Sequence, residues 1–125
     1  MPATILIADD SRTVREMVRT TLEADHYAVI EAPDGGQALA AASAQPADLV
    51  ITDVNMPVMD GLALVRALRA HERYRFTPIL VLTTEHGEDI KQLGRAAGAT
   101  GWLVKPFDPE RLRQAVRKVL GRTRS

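Results

Sequence analysis

The stretch Leu49-Val50-Ile51-Thr52-Asp53 decides the fold: a run of apolar and β-branched residues without alternation, stopped by a carboxylate. A strand buried on one face alternates apolar and polar residues. A strand buried on both faces reads as a continuous run, as in a parallel sheet covered by helices. The same pattern recurs on both sides. Ile5-Leu6-Ile7-Ala8 stops at Asp9-Asp10, and Trp102-Leu103-Val104 stops at Lys105-Pro106. With Ala28–Ala32 and Ile79–Thr83 this makes five predicted strands, the last beginning at Gly101.

Helix-period segments lie between and after them. The first places Val14, Met17, Val18, Thr21 and Leu22 on one stripe behind a Ser11 N-cap. The second is alanine-rich from about Gly36 to Ala44, with Asp34 near its start and Pro46 ending it. The third turns Leu62, Val65 and Leu68 inward and Arg66, Arg69 and Arg73 outward. The fourth buries Ile90, Leu93 and Ala97 and closes at Gly98. The fifth starts at Pro109 and buries Leu112, Ala115, Val116, Val119 and Leu120, and the Arg122–Ser125 end is expected to fray.

Five βα units in succession imply a doubly wound α/β fold with all strand C-termini on one edge. The flavodoxin-like (βα)5 order, a five-stranded parallel sheet 2-1-3-4-5 with helices on both faces, sets strands 1 and 3 side by side. Asp9, Asp10 and Asp53 would then converge where such sheets bind ligands.

The bulk numbers limit the function. A chain of 125 residues holds one domain with a real core, here 1–125, and no output domain is expected. Sixteen basic and sixteen acidic side chains cancel, which argues against a nucleic-acid or membrane coat. The halves differ: residues 1–60 carry three arginines against ten acids, and residues 61–125 carry thirteen basic groups against six acids. No cysteine is present, so disulfides and thiolate chemistry are excluded. No secretory signal or membrane span is visible, and a cytoplasmic location is expected.

The charged strand ends carry the chemistry. Asp9 and Asp10 repel each other unless a cation intervenes, and oxygen ligands without nearby His or Cys favour Mg²⁺, or Mn²⁺, over Zn²⁺. Asp53 is a candidate nucleophile toward phosphorus, forming an acyl phosphate. Lys105 would balance the acids and contact a phosphoryl oxygen, and a cis peptide before Pro106 would aim it. Thr83-Thr84 offers a hydroxyl at the end of the fourth strand. Each residue alone has an ordinary explanation, as a helix cap, a strand terminus or a surface lysine. Their succession, each at the end of its own strand, does not. His26, His71 and His86 lie in or beside loops and read as exposed.

The stretches ILIADDSRTVR (5–15), DLVITDVNMPVMDGLALVRALR (48–69), PILVLTTE (78–85) and AGATGWLVKPFDPERL (97–112) resemble a response-regulator receiver domain. More specifically, they resemble a stand-alone chemotaxis receiver of the CheY type. The resemblance covers nearly the whole chain. It implies that Asp53 accepts a phosphoryl group from a histidine kinase. It implies that Asp10 and Asp53 ligate Mg²⁺ with the Asn55 carbonyl, that Asp9 acts through a metal-bound water, and that Thr83 and Lys105 hold the phosphoryl oxygens. Trp102 stands at the position of a switch aromatic, usually Tyr or Phe. Asn55 and Glu85 occupy two positions that influence the acyl-phosphate lifetime, and Thr84 would lengthen it by narrowing the path of the hydrolytic water.

The phosphoryl group would bias the face of helix 4, strand 5 and helix 5, which carries Lys91, Arg95, Arg111, Arg113, Arg117 and Lys118 and suits an acidic partner. That partner could be a flagellar motor switch, a phosphatase or another phosphorelay protein, or the chain could be a phosphate sink. The expected unit is a monomer that binds neither nucleic acid nor membrane. Two other classes compete. An Mg²⁺-dependent phosphatase with an aspartyl nucleophile would need an acid two residues after Asp53, where Asn55 stands. A nucleotide-binding module would need a glycine-rich loop after strand 1, where Asp9-Asp10-Ser11-Arg12 stands.

Overall fold

A computed structural model of the protein describes residues 3–84 and 87–124, with the side chains of 122–124 outside the description. Glu85 and His86 therefore lie outside the described residues. The strands are β1 (Thr4–Ala8), β2 (Ala28–Ala32), β3 (Leu49–Asp53), β4 (Ile79–Thr83) and β5 (Gly101–Val104). The helices are α1 (Arg12–Ala24), α2 (Gly35–Ala44), α3 (Gly61–Ala70), α4 (Glu88–Ala97) and α5 (Pro109–Arg124), with a short 3-10 turn at Glu72–Tyr74. All strands pair in parallel in the order β2-β1-β3-β4-β5, as the flavodoxin-like reading expects.

The continuous apolar runs serve two cores at once. Leu6, Ala8, Val50 and Val81 point to one face, against Ala38 of α2 and Leu64, Val65 and Leu68 of α3. Ile5, Ile7, Leu49, Ile51, Leu80 and Leu82 point to the other, against Val18 and Leu22 of α1 and Leu112 and Val116 of α5. Successive strand side chains face opposite ways, so a strand covered on both sides must be apolar at every position. Ser11, Asp34 and Asp60 cap α1, α2 and α3, each accepting the backbone N–H three residues on. Gly98 ends α4 in the left-handed region, at φ 109°.

Several expectations need correction. Leu93 is 51% exposed, because α4 packs through Gly94 and Ala97, with Ile90 beside them. Arg69 does not point into solvent. Its guanidinium donates to the carbonyls of Gly98 (2.9 Å), Tyr74 (2.7 Å) and Thr77 (2.6 Å). It thereby ties the end of α3 to the end of α4 and the approach to β4. Arg73 lies beyond α3, in the 3-10 turn, where it is exposed and donates to the carbonyls of Ala42 and Ser43. His71 is half-buried, its Nδ1 accepting from the Arg73 N–H. Of the Arg122–Ser125 end, the backbone of 122–124 continues α5, and Ser125 lies outside the described residues.

Candidate functional site: an acidic pocket at the C-terminal edge of the sheet

Because β1 and β3 are neighbours, Asp9, Asp10 and Asp53 emerge side by side. Each can offer a carboxylate oxygen within 4.8 Å of the others. Asp9 has no solvent exposure and Asp53 is 8% exposed, whereas Asp10 is open to solvent. An all-carboxylate donor set of this spacing fits a hard divalent cation such as Mg²⁺.

Asp9 is held on both oxygens. Oδ1 accepts the Ser11 N–H at 2.9 Å and Oδ2 accepts Lys105 Nζ at 2.9 Å. Its main-chain carbonyl accepts Arg15 Nη1 at 2.6 Å. The Arg15 contact was not foreseen in the sequence, although its position one helical turn after Ser11 directs it back toward the end of β1. Lys105 Nζ also stands 3.3 Å from Asp53 Oδ2, so one ammonium bridges the two most buried acids.

The Lys105-Pro106 peptide is cis, as expected, and the Lys105 N–H donates to the Thr83 carbonyl at 2.7 Å. That bond joins the ends of β4 and β5 beneath the site. Beyond β3, Gly61 N–H closes the base of the following loop on the Val54 carbonyl at 2.8 Å. A Cβ on Gly61 would lie 1.9 Å from the Asp53 carbonyl oxygen, so only glycine lets α3 start so near the site.

Burial, and then the charge of Asp9, raise the Asp53 carboxyl above its ordinary value. Lys105 opposes this without reversing it. Burial alone would lower the Lys105 ammonium, but its hydrogen bond and charge interaction with Asp9, reinforced by Asp53, carry it upward. Three carboxylates thus face one ammonium, and a bound cation would offset the excess charge.

The remaining predicted residues surround this cluster. Thr83 is buried at the end of β4, while Asn55, Thr84 and Pro106 are exposed on adjoining loops. Trp102 is half-buried on β5 with Lys91 Nζ 5.2 Å and Arg95 Cζ 5.0 Å from its ring centroid. A small apolar cavity lies next to it, lined by Val81, Thr83, Ile90, Lys91, Gly94 and Trp102. The basic face is smaller than the sequence suggests. Arg113 and Arg117 both pair with Asp25 at the end of α1, at 3.6 Å each, and Lys91 stands 3.9 Å from Glu88, which leaves Arg95, Arg111 and Lys118.

A five-stranded flavodoxin-like sheet bearing an acidic cation pocket and a lysine at one edge defines a class, the phosphoryl-handling receivers. Comparison with known proteins agrees. The response regulator receiver domain model matches residues 5–117, and the chain belongs to that family. It is 38% identical over 119 residues to a chemotaxis protein CheY homolog of Campylobacter jejuni, covering 94% of this chain and 92% of the relative. The solved structure of chemotaxis response regulator CheY4 of Vibrio cholerae superposes with a TM-score of 0.93 at 50% identity, covering 95% and 99% of the two chains. A receiver domain of a Pseudomonas aeruginosa sensor histidine kinase, solved with magnesium coordinated in its active site cleft, gives a TM-score of 0.89 at 29% identity, covering 97% and 99%. The chain is a CheY-like receiver of two-component signalling. Among the described residues no helix is long and apolar enough to cross a membrane.

Proposed function

We propose that this protein is a phosphorylation-activated switch in which Asp53 takes a phosphoryl group from a histidine kinase. The observation that carries the reading is Lys105 Nζ bridging Asp9 and Asp53 beside a third carboxylate. An Asp53 oxygen attacks phosphorus, the bond to the donor nitrogen breaks, and an acyl phosphate forms. Asp10, Asp53 and the Asn55 carbonyl would hold Mg²⁺, with Asp9 acting through water, and the metal would supply charge neutralisation. Lys105 pairs with the incoming oxygens, and the Thr83 hydroxyl donates to them.

The phosphoryl group adds about two negative charges to the pocket. Rearrangement of Thr83 and of the loops after β4 and β5 then biases the face of α4, β5 and α5, with Trp102 as the moving ring. Arg95, Arg111 and Lys118 suit a partner segment rich in acids. In this reading residues 1–125 act as one receiver unit, in a chemotaxis pathway, whose signal leaves by protein contact. Its only chemistry is accepting and slowly losing its own phosphate. Thr84, exposed beside Thr83, lengthens the lifetime of that phosphate. A faster dephosphorylation of Thr84→Ala is the expected result, and equal rates would remove Thr84 from this role.

Incubation with Mg²⁺ and a small phosphodonor tests the reading. One base-labile phosphate per chain, absent in Asp53→Asn, is expected. Turnover of many equivalents would instead indicate a phosphatase, and no incorporation would exclude a receiver.

A further inference from the structure

Asp10 is exposed, yet both peptides that flank it are fixed. On its C-terminal side the Ser11 N–H donates to Asp9 Oδ1 at 2.9 Å. On its N-terminal side Arg15 Nη1 donates to the Asp9 carbonyl at 2.6 Å. A residue's backbone has two soft torsions, one on each side of Cα, and these two bonds restrain both. The direction in which the Asp10 side chain leaves the backbone is thereby set, and only its own torsions stay free.

The Asp9 carbonyl stands past the end of the strand ladder. Pairing of β1 with β2 runs to Ala8 and Ala32, and the Asp9 N–H reaches the Ala32 carbonyl at 3.1 Å. Pro33 follows, and the chain turns into α2 behind Asp34. Arg15 supplies a donor where the sheet runs out, and it is itself anchored. Its Nε lies 3.2 Å from Glu31 Oε1 on β2, and the other Glu31 oxygen accepts Arg19 Nε, one turn further along α1. A planar guanidinium suits this bridge, because its donors diverge toward two acceptors at fixed spacing. Glu31 also offsets the charge of Arg15, so Arg15 acts on the pocket through the position of the Asp9–Asp10 peptide.

We infer that Arg15 is a positioning residue for the metal end of the pocket: by holding the Asp9–Asp10 peptide it directs the Asp10 carboxylate toward Asp53 and sets the affinity for a divalent cation. This rests on the receiver reading above and adds to it a residue that acts through Asp10. Partners that orient a metal ligand from outside are worth about 10–100-fold in affinity. Arg19 provides the contrast. It shares Glu31, and it also reaches Glu23 and the Val29 carbonyl, so it ties α1 to β2 away from Asp10.

The test compares the parent, Arg15→Met and Arg19→Met. Titration with MnCl₂, read by the electron paramagnetic resonance signal of the free ion, measures metal affinity without any reaction. Phosphorylation by phosphoramidate, followed against Mg²⁺ concentration, separates half-saturating Mg²⁺ from the maximal rate. Arg15→Met should bind Mn²⁺ about tenfold more weakly, and its half-saturating Mg²⁺ should rise by the same factor at the parent's maximal rate. Arg19→Met should lose stability in urea and keep the parent's metal affinity. Parent affinity in Arg15→Met overturns the proposal. So does an equal loss in both variants, which would make Arg15 a support of the fold alone, or a lower maximal rate at unchanged half-saturation, which would place it in the transfer step. Should Arg15→Met not fold, Arg15→Lys takes its place, since one ammonium cannot span Glu31 and Asp9 as the fork does. Weaker Mn²⁺ binding is expected there too, and parent affinity would again overturn the proposal. If the parent binds no Mn²⁺ and takes no phosphate, the receiver reading fails first and this inference with it.

Discussion

The ammonium of Lys105 stands 2.9 Å from the carboxylate of Asp9, a charge with no solvent exposure at the end of β1. Ninety-six positions separate the two in sequence, and the order of the strands closes that distance. The pair stabilises the fold as well as preparing the site.

Lys105→Met should therefore destabilise the protein by about 3 kcal/mol in the absence of divalent cations, because Asp9 and Asp53 lose their shared counter-charge. Millimolar-range Mg²⁺ should recover much of that loss. Urea unfolding with and without Mg²⁺ checks this, and a loss indifferent to Mg²⁺ would remove the electrostatic explanation. The folded Lys105 is shifted upward, so its contribution is complete below the ordinary lysine value and fades as pH rises through the folded one.

Asp53→Asn should stabilise the metal-free protein at neutral pH. The Asp53 carboxyl is raised in the folded state, by burial first and by Asp9 second, so the ionised form opposes folding. The native state holds its proton more tightly than the unfolded chain, and stability falls as pH rises through the window above 3.8. The advantage of the variant should be largest at neutral pH and vanish on acidification below that window. A gain of about 1 kcal/mol corresponds to a melting point higher by roughly 3–6 °C in a chain of this size. Thermal scans from pH 3 to 8 measure it, and Mg²⁺ should erase the difference by stabilising the parent.

Arg69→Met should cost about 2–3 kcal/mol, because the carbonyls of Gly98, Tyr74 and Thr77 lose a charged donor. Arg69→Lys should recover only part of it, since an ammonium cannot match the spread of a guanidinium fork. Hydrogen exchange should show the loss at the α4–β5 connection, where Gly98 and Thr100 meet this side chain.

Trp102 is the single tryptophan, so its emission reports its own environment. Lys91 and Arg95 each hold the ring by about 0.5–1 kcal/mol of cation–π attraction. Lys91→Met combined with Arg95→Met should let the indole settle toward the cavity beside Thr83, with blue-shifted emission and less quenching by acrylamide. An unchanged spectrum would show that packing alone fixes the ring.

The strands and the edge to which their charged ends belong were legible in the sequence. Burial on both faces demands continuous apolar runs, and the chain marks where each run stops. Ser11, Asp34, Pro109 and Gly98 marked helix ends for equally local reasons. Leu93 and Arg69 were misjudged because an i, i+3, i+4 pattern gives a stripe without its centre. The rotation of α4 depends on how it packs against α3 and β5, and the destination of Arg69 on where the end of α4 comes to rest.

The pocket divides in the same way. Sequence alone determined that carboxylates, a hydroxyl and a lysine close successive strands, since each is a local feature of one βα unit. Tertiary structure alone decided that one ammonium bridges Asp9 and Asp53, that Arg113 and Arg117 turn to Asp25, and that Arg15 spans from Glu31 to the Asp9 carbonyl. Those depend on the spacing of separately folded elements, which long-range packing sets.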